Sequence, residues 1–364
     1  MNAAAVPNAD PIVAPAIRNL DRLARQLEKW LEPRLHVSDL RVDNLAYPRG
    51  AGRSHETILF DARWLEGASE RSRGLVVRIK PSTTPVYLDD MFDEQFALME
   101  LLSREGTVRV AETMWIEHDR SFLGAPFFIM EKRDGRVPIT VPSYAQTGWL
   151  YEASPAQRRV LWEDSVRQLA AIQKVPTSRV PFLDRGTPEG GFAQELDRWA
   201  RYLDWLGQRE PVPFHRKVFD HLVENLPGNR PEGIVWGDAR IGNMMFADDF
   251  SVVAVMDWEQ TSLGGALHDL GWWLYSEYLR TTAIGAPTLE GMGEREETIA
   301  LWEEVTAISA ADIDWYILFA AFKMSCLGSK MLGDGRWDAG KADIHDTDIN
   351  RDLARRLGWP GPNI

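Results

Sequence analysis

The feature that most restricts how this chain can fold is a change in the spacing of its apolar residues near position 133. Before that position, short runs of β character lie at 40–46, 56–62, 75–79, 112–116 and 126–130. Helical spacing occurs there at 16–31 and 90–103. The first part of the chain therefore predicts a small antiparallel sheet with a leading helix.

After that position the pattern becomes mostly helical, with candidate helices at 161–172, 192–205, 214–226, 266–279 and 313–331. Ser154 followed by Pro155 is typical of a helix start. Short β runs lie at 234–236, 244–246 and 252–256. We expect an α+β chain with two lobes, a small sheet lobe at residues 1–133 and a larger, mostly helical lobe at residues 134–364.

Composition excludes several classes of protein. The chain has 364 residues and 45% hydrophobic content, enough to fill a substantial core. A formal net charge of -13 argues against a nucleic-acid or anionic-membrane surface, because such surfaces need clustered Lys and Arg. Cys326 is the one cysteine, which excludes an intramolecular disulfide and a multi-thiolate metal site. Without an apolar run of membrane-spanning length or a basic leader, the chain is expected to be cytoplasmic.

The sharpest motif is a polar loop between two short β runs, Val235-Trp236-Gly237-Asp238-Ala239-Arg240-Ile241-Gly242-Asn243. Asp257 follows fourteen residues after Asn243. Phosphoryl transfer to an alcohol needs a base that accepts the hydroxyl proton, and oxygen ligands for Mg²⁺ beside the nucleotide phosphates. Asn243 and Asp257 suit Mg²⁺, which leaves Asp238 for the hydroxyl. The loop therefore predicts phosphoryl transfer from ATP to a small molecule.

This arrangement resembles the catalytic loop and metal-binding aspartate of the aminoglycoside and choline phosphotransferase superfamily, which has a protein-kinase-like fold. The resemblance covers most of the chain. The run Leu123-Gly124-Ala125-Pro126-Phe127-Phe128-Ile129-Met130-Glu131 is similar to the kinase domains linked to acyl-CoA dehydrogenases, and to a subgroup described only as phosphotransferases. The family loop usually begins His-Gly-Asp, whereas Trp236 stands here, a difference that concerns local packing.

The resemblance gives roles to two further residues of the second lobe. Arg240 lies where protein kinases carry a Lys against the transferring phosphate, and would stabilise charge in the transition state. A surface salt bridge is the alternative interpretation of Arg240. Asp269, in the next predicted helix, matches a family residue that supports the catalytic loop.

The same resemblance assigns nucleotide contacts to the first lobe. Gly50, Gly52 and Ser54 lie between two predicted strands, where kinases fold a glycine-rich loop over ATP, although a hairpin with two glycines is also ordinary. Backbone groups of Glu131 and Arg133 would hold the edge of adenine. Both assignments follow from the resemblance, since side-chain identity matters little at either place.

A cation and its partner complete the expected nucleotide site. The resemblance places Arg78 against the nucleotide phosphates, but Lys80 shares the same strand face and the choice between them is open. Glu94, in the following helix, resembles the carboxylate that orients this cation by ion pairing. A solvated helix charge is the other interpretation of Glu94.

The acceptor of the phosphoryl group is less determined. The acidic residues Glu195, Asp197, Asp204 and Glu210 could attract an aminoglycoside or amino-alcohol, or could form a solvated helix face. The likeness to the dehydrogenase-linked kinases favours a hydroxyacyl thioester such as a hydroxyacyl-CoA. Two other functions stay open, a catalytically silent nucleotide-binding module and a metal-dependent hydrolase. The chain could act as a monomer or a homodimer.

Overall fold

The structure is a computed structural model that describes residues 18–48, 56–80, 86–187, 190–210, 212–334 and 343–362. Its helices are α1 (Leu20–Leu35), α2 (Phe92–Glu105), α3 (Arg120–Leu123), α4 (Trp149–Glu152), α5 (Pro155–Ile172), α6 (Gly191–Gly207), α7 (Pro213–Glu224), α8 (Leu267–Arg280), α9 (Arg295–Thr306), α10 (Ile313–Gly333) and α11 (Asp348–Arg356). Its strands are β1 (Arg41–Ala46), β2 (Glu56–Glu66), β3 (Ser69–Ile79), β4 (Thr113–Glu117), β5 (Phe127–Glu131), β6 (Met244–Phe246) and β7 (Val252–Val255).

The chain groups into two compact units. The described residues up to position 80 and residues 111–133 form the first unit, and residues 86–110 together with those from 134 onward form the second. Helix α2 therefore belongs to the second unit, although it precedes residue 133 in the sequence. The expected lobe boundary at residue 133 stays a prediction.

The first unit is built on a five-stranded antiparallel sheet in the order β1-β2-β3-β5-β4. Strands β2 and β3 pair along their whole length, which leaves Gly67 and Ala68 as their connection. Gly67 has a φ of +64°, a conformation that glycine adopts readily and that a two-residue hairpin turn requires. The predicted small antiparallel sheet is confirmed, with β3 beginning earlier than the apolar run had indicated.

The side chains of β3 divide between the two faces of the sheet. Leu75, Val77 and Ile79 are fully buried in the core of the first unit. Arg78 and Lys80 alternate with them, so both cations lie toward the opposite face, as the period of two predicted. Alternation alone therefore leaves the choice between them open.

Helix α1 covers the core face of this sheet. It begins at Leu20, later than predicted, because Asn19 caps it by accepting a 2.9 Å hydrogen bond from the backbone N–H of Arg22. Its apolar stripe lies in the same core cluster as the strands and comprises Leu23, Leu27, Trp30 and Leu31. The sequence thus predicted the helix and its buried face correctly, but not its ends.

Helices dominate the second unit, and α8 and α10 pack closely against each other. At Gly271 of α8 a Cβ atom would come within 2.6 Å of the backbone of Tyr316 in α10, so a larger residue would separate the two helices. Strands β6 and β7 form a short hairpin in which Met244 lies opposite Val255. Among the described segments, no helix is both long and apolar enough to cross a bilayer.

The predicted strand at 234–236 is wrong. Only Val235 pairs, in an isolated bridge with Ser262. The backbone N–H groups of Trp236 and Gly237 donate to the carboxylate of Asp269, so they are not available to a strand partner. The prediction failed because a side chain from α8 replaced the strand as hydrogen-bond acceptor.

Two helices of the second unit were not predicted, α9 and α11. A capping box formed by Glu294 and Glu297 starts α9, and the side chain of Thr347 caps α11. The cap residues are visible in the sequence, but polar residues dominate both helices and weaken the apolar spacing that marks a helix.

Candidate active site

The polar loop begins at a tight turn of the backbone. Gly237 has a φ of +102°, and a Cβ atom at this position would lie 2.4 Å from the Cβ of Gln260. Any other residue would therefore be strained and would collide with its neighbour. This turn lets the chain bring Asp238 directly after a buried segment.

Asp269, at the start of α8, anchors the loop. Its carboxylate accepts a 2.6 Å hydrogen bond from the backbone N–H of Trp236 and a 2.9 Å bond from that of Gly237. The side chain is 1% exposed, and this burial raises the pKa of Asp269 to about 6, against the lowering effect of the two N–H donors. The expected support of the loop by Asp269 is confirmed.

Trp236 occupies the place of the family histidine and packs against its surroundings. Its indole N–H donates a 2.8 Å hydrogen bond to the backbone oxygen of Met256, and its ring lies 5.7 Å from that of Trp258. The side chain is fully buried. Trp236 thus ties the start of the loop to the segment that carries Asp257.

Three donors converge on the carboxylate of Asp238. Asn243 donates through its side-chain amide to Oδ2 at 2.7 Å, and Arg240 donates through Nε to the same oxygen at 3.0 Å. The indole N–H of Trp272, in α8, donates to Oδ1 at 3.0 Å. The structure therefore brings together three residues that the motif predicted and one that it did not.

Arg240 is both an ion-pair partner and a partly exposed cation. Its side chain is 26% exposed and pairs with Asp238. Burial lowers the pKa of Arg240, but the charges of Asp238 and Asp257 outweigh it and leave that pKa raised. Because two acidic groups act on this one guanidinium, the pair belongs to the loop rather than to an isolated surface bridge.

The two predicted metal ligands lie beside each other. The backbone N–H of Met256 donates a 2.9 Å hydrogen bond to the backbone oxygen of Asn243, which places Asp257 next to that residue. Asp257 has a φ of +64°, so the chain turns sharply out of β7 at this point. The amide nitrogen of Asn243 is bound to Asp238, which leaves its amide oxygen for a cation.

This donor set fits Mg²⁺ better than a transition metal. Within the described ranges, no group of three or more His, Cys, Asp or Glu side chains is arranged to hold a metal ion. Mg²⁺ usually binds through one or two carboxylates together with substrate phosphates, and does not need such a cage. One carboxylate and one amide oxygen are ligands of that kind.

A second cation stands near the loop, which the sequence analysis missed. The charges of Arg240 and Asp238 act on Arg280, the last residue of α8, and partial burial together with Arg240 lowers the pKa of Arg280. Ser143 donates a 2.6 Å hydrogen bond to the backbone oxygen of Arg280. Among the described residues, Arg280 forms no ion pair like that of Arg240 with Asp238.

The segment around Ser143 lies against the catalytic loop. A Cβ atom at Gly242 would come within 2.5 Å of both the Thr140 methyl group and the Arg240 guanidinium. Tyr144 donates a hydrogen bond to the carboxylate of Glu277, and burial raises the pKa of Glu277 to about 7. No motif marks this segment, because its position depends on contacts distant in sequence.

The expected nucleotide residues of the first unit are placed in part. Gly50, Gly52 and Ser54 lie outside the described residues. Arg78 pairs with Phe128 in the sheet and is 8% exposed.

Glu131 ends β5, where its backbone N–H donates a 2.8 Å hydrogen bond to Glu112 and its carboxylate pairs with Arg133 at 3.0 Å. The backbone contacts predicted for Glu131 and Arg133 stay predictions.

Glu94 belongs to α2 in the second unit. Its carboxylate forms an ion pair with Arg185 at 3.1 Å, so it is not a solvated helix charge. The expected pairing of Glu94 with Arg78 would join residues of the two units and stays a prediction.

Comparison with known proteins follows the same direction as the site. Residues 48–308 match a family described as "Phosphotransferase enzyme family". The chain is 25% identical over 331 residues to acyl-CoA dehydrogenase family member 11 of Pongo abelii, a match that covers 86% of this chain. It spans only 41% of the length of that relative.

Solved structures share the fold. A protein of Ralstonia eutropha JMP134, whose description assigns it to the aminoglycoside phosphotransferases, aligns with a TM-score of 0.65 and 24% identity over 91% of this chain and 94% of its own. An aminoglycoside phosphotransferase in a ternary complex with ADP and hygromycin B aligns with a TM-score of 0.52 and 15% identity, over 92% of this chain and 97% of its own. The expected protein-kinase-like α+β fold is confirmed.

The raised pKa of Asp269 predicts a pH-dependent contribution to stability. Between the ordinary value of 3.8 and the folded value of about 6, the native chain binds a proton that the unfolded chain has lost. The stabilising contribution is therefore complete below the ordinary value and is lost as the pH rises through the folded value. Relative to Asp269→Asn, the free energy of unfolding should fall by about 3 kcal/mol across this range.

Urea unfolding of both proteins from pH 4 to pH 7 measures this difference. Asp220→Asn, at an exposed carboxylate of α7, is the control for the loss of a negative charge. A difference between wild type and Asp269→Asn that does not change with pH would contradict the assignment.

Proposed function

Because the chain belongs to the phosphotransferase enzyme family, we propose that it is a kinase that transfers the γ-phosphoryl group of ATP to a hydroxyl of a small molecule. The observation that carries this proposal is the convergence of Asn243 and Arg240 on the carboxylate of Asp238, with Asp257 beside them. Such a set contains a base, a cation and the oxygen ligands that phosphoryl transfer to an alcohol requires.

Asp238 acts as the base in this proposal. The acceptor hydroxyl gives its proton to the Asp238 carboxylate as its oxygen forms a bond to the γ-phosphorus. The bond from that phosphorus to the bridging oxygen of ADP breaks, and the proton later passes to water. Arg240, held 3.0 Å from the same carboxylate, lies where its charge can stabilise the phosphoryl oxygens during transfer.

Asn243 and Asp257 would hold Mg²⁺ through an amide oxygen and a carboxylate. When bound, the cation neutralises charge on the nucleotide phosphates. The ADP complex of one structural relative supports a nucleotide as the phosphoryl donor. In the first unit, the proposal assigns the phosphate contact to Arg78, with Gly50, Gly52 and Ser54 over the phosphates and the backbone of Glu131 and Arg133 at the adenine.

The charges near Asp238 favour an anionic acceptor over a polycationic one. Arg240 and Arg280 both lie close to this carboxylate, and two cations side by side favour a bound anion.

The carboxylates that could attract an aminoglycoside are already engaged. Glu195 is 1% exposed and pairs with Lys323, so its interpretation as a solvated charge is wrong. The other carboxylates are paired with basic side chains, namely Asp197 with Arg201, Asp204 with Arg216, and Glu210 with His345.

A hydroxyacyl-CoA meets this requirement, since it carries a hydroxyl and several negative charges. The similarity to acyl-CoA dehydrogenase family members points to the same class, although the chain spans less than half of the length of those relatives. An assay with MgATP and a panel of a hydroxyacyl-CoA, an amino-alcohol and an aminoglycoside tests the proposal. Nucleotide binding without transfer to any of them would favour a silent nucleotide-binding module.

Replacement of the base should abolish transfer. Asp238→Asn keeps the size of the side chain but cannot accept the hydroxyl proton, so kcat should fall by a factor of about 100 or more. Binding of MgATP, measured by calorimetry, should be retained. Asp248→Asn, at an exposed position in the turn after β6, is the matched control. Turnover near the wild-type value in Asp238→Asn would exclude Asp238 as the base.

Replacement of the proposed metal ligand should act on nucleotide binding instead. Asp257→Ala removes one of two protein ligands, and we expect the affinity for ATP in the presence of Mg²⁺ to fall by about tenfold or more. The affinity for ATP measured in EDTA should change little. Equal effects in both conditions would remove Asp257 from the ligands of the cation.

Arg280 should distinguish anionic from neutral acceptors. A charge-assisted hydrogen bond to an anion is worth roughly 1.5–3 kcal/mol, so Arg280→Gln should raise KM for an acyl-CoA acceptor by about tenfold or more. The KM for ATP should stay within about twofold of wild type. Arg295→Gln, at an exposed position in α9, is the control. An unchanged KM for the acyl-CoA would argue against an anionic acceptor at this site.

A further inference from the structure

The contacts of Asp238 distinguish its two carboxylate oxygens. Oδ2 accepts hydrogen bonds from Asn243 at 2.7 Å and from Arg240 at 3.0 Å. Oδ1 accepts one bond, from the indole N–H of Trp272 at 3.0 Å. A carboxylate oxygen offers about two lone-pair sites. The two donors on Oδ2 therefore occupy that oxygen, while Oδ1 keeps a site for an acceptor hydroxyl.

Trp272 is itself held from the side away from Asp238. Its side chain is 3% exposed, and the ammonium group of Lys323 in α10 lies 5.2 Å from the centre of the indole ring. A cation over an indole face is attracted to it, and more strongly where water is excluded. Lys323 is 2% exposed, so water does not screen this contact.

The position of Lys323 is fixed in turn by Glu195. The two side chains form an ion pair at 3.4 Å, and both are buried. The carboxylate of Glu195 also accepts hydrogen bonds from Ser262 at 2.8 Å and from the Trp199 indole at 3.0 Å. Burial opposes ionisation of Glu195, but Lys323 and Arg198 hold its pKa at about 2. A charged pair held by so many partners leaves the Trp272 ring little room to move.

We propose that Trp272 is a positioning residue, whose N–H holds Asp238 so that the remaining acceptor site on Oδ1 is directed at the acceptor hydroxyl. The inference rests on the proposed function, since it takes Asp238 as the base. A donor to a carboxylate also favours the charged form. Loss of this N–H should therefore reduce both the correct orientation of the base and its readiness to act at low pH.

The chain offers a matched control in the next residue. Trp273 is 1% exposed, lies in the same helix, and its indole N–H has no hydrogen-bond partner within the part of the chain that the structure describes. Trp272→Phe and Trp273→Phe each remove one indole N–H and the same volume from the interior of α8. Only the first variant removes a donor to Asp238.

Steady-state kinetics of both variants with MgATP and a hydroxyacyl-CoA test the proposal, across the pH range of activity. We expect Trp272→Phe to lower kcat by about 10- to 100-fold, with the KM for ATP within about twofold of wild type. The acidic limb of its kcat profile should move to higher pH, while Trp273→Phe should keep the wild-type limb. Equal kcat values and equal profiles in the two variants would overturn the role of Trp272.

A second measurement leaves Trp272 in place and does not depend on turnover. In protein labelled with ¹⁵N-tryptophan, Asp238→Asn should shift the indole N–H resonance of Trp272 and leave that of Trp273 unchanged. An unshifted Trp272 resonance would refute the hydrogen bond and the inference built on it. Absence of transfer by the wild-type protein to any acceptor in the panel would instead refute the proposed function.

Discussion

The candidate site depends on one interaction, the acceptance of two backbone N–H groups by the buried carboxylate of Asp269. These two bonds, of 2.6 and 2.9 Å, join the start of α8 to Trp236 and Gly237, immediately before Asp238. Every other contact of the loop builds on this connection. Because α8 also carries Trp272, the helix that anchors the backbone of the loop also contacts the side chain of its carboxylate.

The electrostatic arrangement follows from the way in which α8 and α10 pack. Gly271 allows the two helices to approach closely, and Lys323 of α10 lies over the ring of Trp272. Breaking a buried ion pair leaves an uncompensated charge, so Lys323 and Glu195 depend on each other. The site is therefore supported by a layer of charged and aromatic side chains that do not face the substrate in the proposed mechanism.

The sequence predicted the parts of the site that lie close together along the chain. Asp238, Arg240 and Asn243 occupy one loop, so their types and spacing were enough to assign them. Trp272 and Arg280 were missed because they reach the loop from a helix more than thirty residues further on. Nothing in the pair Trp272-Trp273 indicates which indole finds an acceptor, since both positions fit a buried helix face.

The same limit explains the errors in the fold. The strand predicted at 234–236 has the right composition, but a carboxylate from α8 takes the N–H groups that a strand would use. In contrast, β2 and β3 were predicted well because each strand pairs with its neighbour in sequence. Local patterns were thus reliable where partners are local, and failed where a distant side chain competes for the backbone.

The hydrogen bond between Met256 and Asn243 has a consequence for how such sites can diverge. It couples the two proposed ligands of the cation through the backbone at the open end of the β6–β7 hairpin, so the residues in the turn at the other end do not set their separation. Insertions or deletions in that turn would change the count of residues between the ligands without moving them apart. A fixed interval along the chain is therefore a poorer signature of this site than a pair of strand ends that meet.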